Sequence, residues 1–231
     1  MHDVPALDVI DADGAIRDTA AAAAGDTRAG FLAKAGLLGG GLIGSSALLG
    51  LDPATAGAAS KGDVAILNYA LTLEYLEAAF YTEAERMGAL NGELALFAKV
   101  VGAHERAHVA ALKQALGRKA VKRPRFDFRG TTESARKFAA TAQTLEDTGV
   151  AAYKGQAPKI RANGLLTAAL AIHAVEARHA AWIRDIRGGA PAPRAFDRPM
   201  TKGQVLAAVA ATKFIRPARR TATRSAPSFT G

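Results

Sequence analysis

The chain of 231 residues contains no cysteine, and this absence excludes several kinds of site at once. Disulfide bonds, thiolate metal sites, iron–sulfur clusters and thiol nucleophiles all require the sulfur of cysteine. Any redox chemistry therefore depends on a bound metal or on an external electron donor. With 49% hydrophobic residues, the chain is long enough to bury one core and to carry extensions.

Acidic residues are scarce relative to basic ones, and the imbalance is uneven along the chain. The formal net charge is +9, but residues 1–59 carry seven acidic and three basic side chains, a net charge of −4, which leaves +13 on the remainder. Residues 216–231 contain four arginines and no acidic residue, and we interpret them as a disordered, solvated tail. No aromatic residues interleave these arginines, so nucleic acid is not the expected partner.

Long apolar runs are also missing, because the charge-free stretch 35–51 has only 17 residues and is rich in glycine. This is short for a membrane span but fits the apolar region of an export signal, with small residues at 56–58 as its cleavage site. The preceding Thr27, Arg28, Phe31, Leu32 and Lys34 resemble a twin-arginine signal in which Ala29 replaces the second arginine. We therefore expect a periplasmic or extracellular protein; the alternatives are an uncleaved membrane anchor and a buried glycine-rich helix.

One set of residues occurs twice in the chain with nearly the same spacing. The first copy is Leu73, Glu74, Tyr81, Glu105 and His108, and the second is Leu145, Glu146, Tyr153, Glu176 and His179. The two glutamates are 31 residues apart in the first copy and 30 in the second, and the copies are offset by 72 and 71 residues. A solvated surface has no reason to keep such a register, so the repeat indicates a shared site.

Apolar residues at steps of three and four predict that all of these polar residues lie on the buried faces of helices. Glu74, for example, falls in a series with Leu67, Leu71 and Tyr81. Four uncompensated carboxylates in one core would cost on the order of several kcal/mol each, which a domain with a net stability of roughly 5–15 kcal/mol does not tolerate. Positive charge must therefore lie between them.

The periodicity predicts an all-α fold, with four long helices at about 63–88, 93–116, 131–156 and 165–187 and a short fifth helix at 201–214. Asp63 and Thr131 are the expected N-caps of the first and third helices. A basic segment at 118–130 is long enough to cross over between two helical hairpins. We thus divide the chain into a disordered, signal-like N-terminus at 1–59, a four-helix bundle at 60–190, a linker with the short helix at 191–215, and the tail at 216–231.

One glutamate on each of helices one and three, with Glu-x-x-His on helices two and four, is the arrangement of the di-metal carboxylate bundles. The chain resembles the ferritin-like superfamily over about 63–187. Around residues 67–81 it resembles the exported ferritin-like group that includes desiccation-related proteins. This resemblance implies a ferritin-like four-helix bundle with a two-metal centre.

In such a centre, Glu105 and Glu176 are expected to bridge the two ions. Glu74 and His108 would complete the first ion, and Glu146 and His179 the second. Oxygen and nitrogen ligands favour iron, with manganese as the alternative. Tyr81 and Tyr153 are the predicted hydrogen-bond donors to the carboxylates of the opposite copy and the predicted catalytic residues. Glu77, three residues after Glu74, is interpreted as a residue at the edge of the site.

The resemblance implies oxidative metal chemistry, namely ferroxidase activity or peroxide reduction with dioxygen or peroxide as the small substrate. Without cysteine, the chain lacks the rubredoxin module that some peroxidases of this superfamily carry, so its electron donor must be external. A manganese catalase-like reaction and a non-enzymatic metal-binding stress or envelope protein are the alternatives, and a homo-oligomer is compatible with either. His104, Glu105 and His108 also spell the zinc protease signature, but that hypothesis leaves the second copy unexplained.

Overall fold

The computed structural model describes residues 59–216. The predicted export signal, and all of the predicted tail except Arg216, lie outside this range. The described part contains five α-helices: α1 Lys61–Met87, α2 Gly92–Leu116, α3 Ala135–Gln156, α4 Asn163–Ile186 and α5 Lys202–Thr212. Two short strands, β1 Arg125–Phe126 and β2 Ile215–Arg216, complete the elements, and single 3-10 turns follow α2 and α3.

The N-terminus of α1 differs from the sequence prediction by one turn. Ser60 is the N-cap, and it forms a capping box in which its hydroxyl accepts from the Asp63 N–H while the Asp63 carboxylate accepts from the Ser60 N–H, both at 3.0 Å. Asp63, the predicted N-cap, therefore lies in the first turn, where its second oxygen accepts from the Arg161 N–H at 2.8 Å. The helix ends where Gly88 adopts a left-handed conformation with φ of 64°.

The third helix begins later than predicted, because Thr131 belongs to the preceding turn. Both the N–H and the hydroxyl of Thr131 donate to the carbonyl oxygen of Phe128, so Ser134 becomes the N-cap. The fifth helix is shorter than predicted: it starts after a capping box formed by Thr201 and Gln204 and ends at Thr212. Arg216, assigned to the tail, pairs instead with Arg125 across the two strands.

The four long helices pack as two hairpins, α1 with α2 and α3 with α4. Two apolar clusters fill the bundle. One contains the aromatic residues Phe80, Phe97 and Phe138, and the other contains Leu71, Leu112, Leu165 and Ile172. On α1, α2 and α4, the polar residues of the sequence repeat lie between the parts of the helix that contribute to each cluster. The bundle thus has apolar packing at both ends and a polar layer in its middle.

The crossover between α2 and α3 is held by polar contacts rather than by a helix. The side-chain amide of Asn68 donates to the Lys119 carbonyl oxygen at 2.9 Å and accepts from the Val121 N–H at 2.8 Å. Further along, β1 pairs with β2 in an antiparallel two-stranded sheet that joins the crossover to the segment after α5. The predicted all-α bundle with a long crossover and a short C-terminal helix is therefore confirmed. Within the described residues, no helix combines the length and apolar character needed to cross a membrane.

We expect Gly155→Ala to destabilise the fold, because the segment before α5 lies directly on the last turn of α3. The Met200 N–H donates to the Ala151 carbonyl oxygen at 3.0 Å, and a Cβ atom at position 155 would overlap the Met200 carbonyl oxygen. Urea denaturation should show a loss of about 1–3 kcal/mol in the free energy of unfolding, the usual cost of overpacking.

Gly203→Ala in α5 is the matched control, because no atom lies within 4 Å of a Cβ atom at that position. Alanine there should leave the free energy of unfolding unchanged or raise it, since alanine favours a helix over glycine. If Gly155→Ala were as stable as the control, the described contact between α3 and Met200 would be wrong.

Candidate metal centre

The middle layer of the bundle brings all six predicted ligands together from four helices. Their side chains form two overlapping groups: Glu74, Glu105, His108 and Glu176, and Glu105, Glu146, Glu176 and His179. Within each group, one nitrogen or oxygen atom from every residue lies within 4.8 Å of the others. Glu105 and Glu176 belong to both groups, which is the position expected of bridging residues. That these residues bind metal stays a prediction.

Reciprocal hydrogen bonds from two tyrosines tie the halves of the centre to each other. The Tyr81 hydroxyl on α1 donates to Glu146 on α3, and the Tyr153 hydroxyl on α3 donates to Glu74 on α1 at 2.5 Å. Because each tyrosine follows its own glutamate by seven residues, the two bonds require α1 and α3 to run antiparallel. Burial raises the pKa of both hydroxyls, and the carboxylates that accept from them raise it further, so both remain donors. A catalytic role for the tyrosines stays a prediction.

The carboxylates of the centre are fully removed from solvent. Glu74, Glu105, Glu146 and Glu176 are each 0% exposed, whereas His108 and His179 retain 8% and 3%. Burial raises the pKa of Glu105 and Glu176, and neighbouring carboxylates raise it further. These glutamates are therefore held in a site that favours their neutral form unless a cation is present.

One histidine already provides part of the missing positive charge. Nδ1 of His108 lies 3.2 Å from Glu74 Oε2, 3.2 Å from Glu105 Oε2 and 3.3 Å from Glu176 Oε1. Burial alone would lower the pKa of His108, but these three carboxylates hold it well above its ordinary value. Burial would likewise raise the pKa of Glu74, but the His108 imidazole outweighs that effect and holds it below its ordinary value. A bound cation would replace the His108 proton at this position.

Several buried atoms of the second group have no hydrogen-bond partner among the described residues. They are Glu105 Oε1, Glu146 Oε2, both carboxylate oxygens of Glu176, and His179 Nδ1. His179 Nδ1 lies 3.2 Å from Glu105 Oε1 and 3.3 Å from Glu146 Oε2 without a hydrogen-bond geometry to either. Buried polar atoms without partners are costly, and a shared cation would satisfy all of them. The residues present therefore fit a pair of metal ions.

Glu77 lies inside the centre, and its predicted position at the edge is wrong. The side chain is only 3% exposed. Burial raises its pKa well above the ordinary value, and the carboxylates of Glu176, Glu146, Glu105 and Glu74 raise it further. The spacing argument missed it because the second copy of the repeat has glycine, not glutamate, at the corresponding position, Gly149.

A second residue that the repeat does not contain contacts a predicted ligand. Nδ1 of His104 lies 2.9 Å from Nε2 of His179, and the two rings are stacked with centroids 5.1 Å apart. Since Nδ1 of His179 faces the carboxylates, this contact uses the nitrogen on the far side of its ring. His104 belongs to neither group of candidate ligands, although it is the first histidine of the zinc protease signature. Its position could have been predicted only from its helical spacing, one turn before His108.

A groove between α2 and α4 leads from the surface to the two histidine ligands. It has a volume of about 540 Å³, and its walls are mainly alanine, valine and isoleucine. Its polar and aromatic lining residues are His104, His108, Arg178, His179 and Trp182. Because the carboxylates are fully buried, the imidazole side is the side from which a small molecule can approach the centre.

Comparison with known proteins agrees with this geometry. A family model described as a ferritin-like domain matches residues 62–189, which is more than half of the chain and includes every candidate ligand. No curated protein matches the chain significantly.

The raised pKa values predict that the metal-free protein becomes less stable as the pH rises. Glu77, Glu105 and Glu176 have folded-state pKa values above the ordinary 4.5, so above about pH 4.5 the folded protein holds protons that the unfolded chain releases. The raised pKa of His108 acts in the same direction above about pH 6.5. The free energy of unfolding should fall between about pH 5 and 8, by up to about 1.4 kcal/mol per pH unit for each group.

Urea denaturation in the presence of a chelator measures this dependence, and a Glu105→Gln, Glu176→Gln double variant should flatten it. A free energy of unfolding that stayed constant or rose over this range would contradict the described burial of the three carboxyls.

We expect Tyr81→Phe and Tyr153→Phe each to weaken metal binding by about 10–100-fold, because each removes the hydrogen bond that orients a terminal carboxylate. Phenylalanine keeps the ring that packs in the core. Isothermal titration with Mn²⁺ measures the affinity. Tyr75→Phe is the control, since the Tyr75 hydroxyl only contacts the Val121 carbonyl oxygen at 3.5 Å, in the crossover. Affinities equal to that of the control would mean that the tyrosines do not orient the ligands.

Proposed function

Because the chain belongs to the ferritin-like domain family, we propose that it holds two metal ions between its four long helices and acts as a di-iron oxidoreductase. The reaction would be ferrous iron oxidation or peroxide reduction. The observation that carries this proposal is the set of four fully buried glutamates and two histidines, arranged in two groups that share Glu105 and Glu176.

The charges and donor atoms of the centre support iron. Four carboxylates balance the charge of two divalent ions, and two neutral imidazoles add one nitrogen ligand to each. Carboxylate oxygen and imidazole nitrogen suit iron and manganese, whereas soft metals prefer the thiolates that this chain lacks. We propose iron as the metal and manganese as its alternative. When bound, a ferrous pair supplies the two electrons that convert a peroxide to water.

The residues of the chain would hold and shield that pair. The Tyr81 and Tyr153 hydroxyls orient the terminal carboxylates of Glu146 and Glu74. The apolar clusters on both sides keep water from the carboxylates. On the open side, the groove between α2 and α4 would admit dioxygen or peroxide, and exposed His104 would connect the inner imidazole of His179 to solvent.

We also propose that the protein is exported and receives electrons from an external donor. The support for export is the signal-like N-terminal segment, which lies outside the described residues. The support for an external donor is the lack of cysteine, which leaves no thiolate electron-transfer site in the chain. Whether the protein forms a homo-oligomer is a question for solution measurements.

The test combines elemental analysis with rapid mixing. Wild-type protein loaded with ferrous iron should contain two equivalents and should develop ferric absorbance within seconds of mixing with peroxide. The Glu105→Gln, Glu176→Gln double variant should lose both equivalents and react no faster than free ferrous iron, because it lacks both shared carboxylates.

A Glu85→Gln variant is the control, since Glu85 forms a surface ion pair with Arg106 at 2.9 Å and lies outside both groups of candidate ligands. It should behave as wild type. Two tightly bound equivalents without oxidation above background would favour a non-enzymatic metal-binding protein. Wild-type protein that retained no iron or manganese would end the proposal.

A further inference from the structure

The two halves of the centre are not equivalent, and the difference lies at one pair of positions. Moving from Glu74 to Glu146 and from Tyr81 to Tyr153 takes 72 residues in each case. The same step takes Glu77 to Gly149. The chain therefore places a carboxylate on α1 where it places no side chain at all on α3.

The missing side chain at Gly149 creates the space that two carboxylates use. A Cβ atom at this position would lie 2.8 Å from Glu176 Oε2 and 3.5 Å from Glu77 Oε1. The first distance is too short for any real carbon atom, so only glycine permits Glu176 to lie as it does. Both oxygens thus pack against the backbone of α3, one turn after Glu146.

Glu77 has the surroundings of a ligand rather than of a surface residue. It is 3% exposed, and no lysine, arginine or histidine among the described residues forms an ion pair with it. The carboxylate oxygen beside it, Glu176 Oε2, is buried without a hydrogen-bond partner in the same range. Two carboxylates brought together in a core without a counter-charge require a cation between or beside them.

We propose that Glu77 is a further metal ligand, a fifth carboxylate that binds the ion held by Glu146 and His179. This inference rests on the proposed function, because it requires that the centre holds two ions. Its consequence is that the two metal positions differ, since the ion held by Glu74 and His108 has no corresponding extra carboxylate.

A second contact increases the same asymmetry. His104 contacts His179, whereas the residue 71 positions after His104 is Val175, so His108 has no equivalent imidazole against it. Both additions therefore act on the ion of the second group. Five carboxylates carry one negative charge more than two divalent ions neutralise, and this excess favours a higher metal charge. Glu77 should thus stabilise the oxidised form of the centre and lower its reduction potential.

The first test uses Co²⁺, which stays divalent and reports its ligands by visible absorption. Wild-type protein should bind two equivalents in two distinguishable steps. In Glu77→Gln, which keeps the size and removes the charge, one step should weaken by roughly tenfold or more and its absorption bands should change, while the other step is retained. The Glu85→Gln control should match wild type.

The second test measures the reduction potential of the iron-loaded protein by spectroelectrochemistry. Removing the fifth carboxylate in Glu77→Gln should raise the potential, and Glu85→Gln should leave it unchanged. Gly149→Ala should also weaken Co²⁺ binding, because its Cβ atom displaces the Glu176 carboxylate. Circular dichroism confirms that each variant is folded, and if Glu77→Gln does not fold, Glu77→Asp supplies the same comparison by withdrawing the carboxylate while keeping its charge.

Two results separate the inference from the function on which it rests. If Glu77→Gln, or Glu77→Asp in its place, binds two Co²⁺ with the affinities, spectrum and iron potential of wild type, Glu77 is only a buried neutral acid and the inference is wrong, while the proposed two-metal centre stands. If wild-type protein binds no Co²⁺, iron or manganese, the proposed function fails and the inference fails with it.

Discussion

The constraint on which the rest of this structure depends is the burial of like charges. Four glutamates at 0% exposure and a fifth at 3% share one layer of a helical bundle with only two imidazoles. No apolar arrangement makes such a layer stable, so the surrounding structure either keeps protons on the carboxyls or supplies cations. The raised pKa values of Glu105 and Glu176 and the protonated state of His108 are the metal-free solution to this constraint. A pair of metal ions is the solution that leaves every carboxylate charged.

The bundle meets this constraint with a duplicated hairpin. Each copy contributes a glutamate, a tyrosine and a Glu-x-x-His pair, and each tyrosine donates to the glutamate of the other copy. These crossed hydrogen bonds join the hairpins through the site itself, so the same contacts that orient the ligands also hold α1 against α3. Apolar clusters on both sides then isolate the layer from solvent. Stability and ligand geometry are therefore coupled in this fold.

Departures from the duplication give the centre a direction. Glu77 enters on the side where Gly149 leaves space, and His104 contacts only one of the two imidazoles. The groove between α2 and α4 opens on the imidazole side, while the carboxylate side is closed by the aromatic and aliphatic core. A site with such unequal halves can bind, exchange or oxidise its two ions differently, even though the sequence repeat alone describes them as equal.

The sequence by itself determined the all-α bundle and selected the six residues that meet in its centre, because periodicity and a repeated spacing follow directly from helix geometry. It misplaced the start of α1 and α3, since the capping contacts of Ser60 and Thr131 depend on local hydrogen bonds that spacing does not reveal. Only the tertiary structure decided that Glu77 lies inside the site and that His104 contacts His179. Both depend on which side chain is absent or present on a facing helix, and that information exists only once the four helices are packed together.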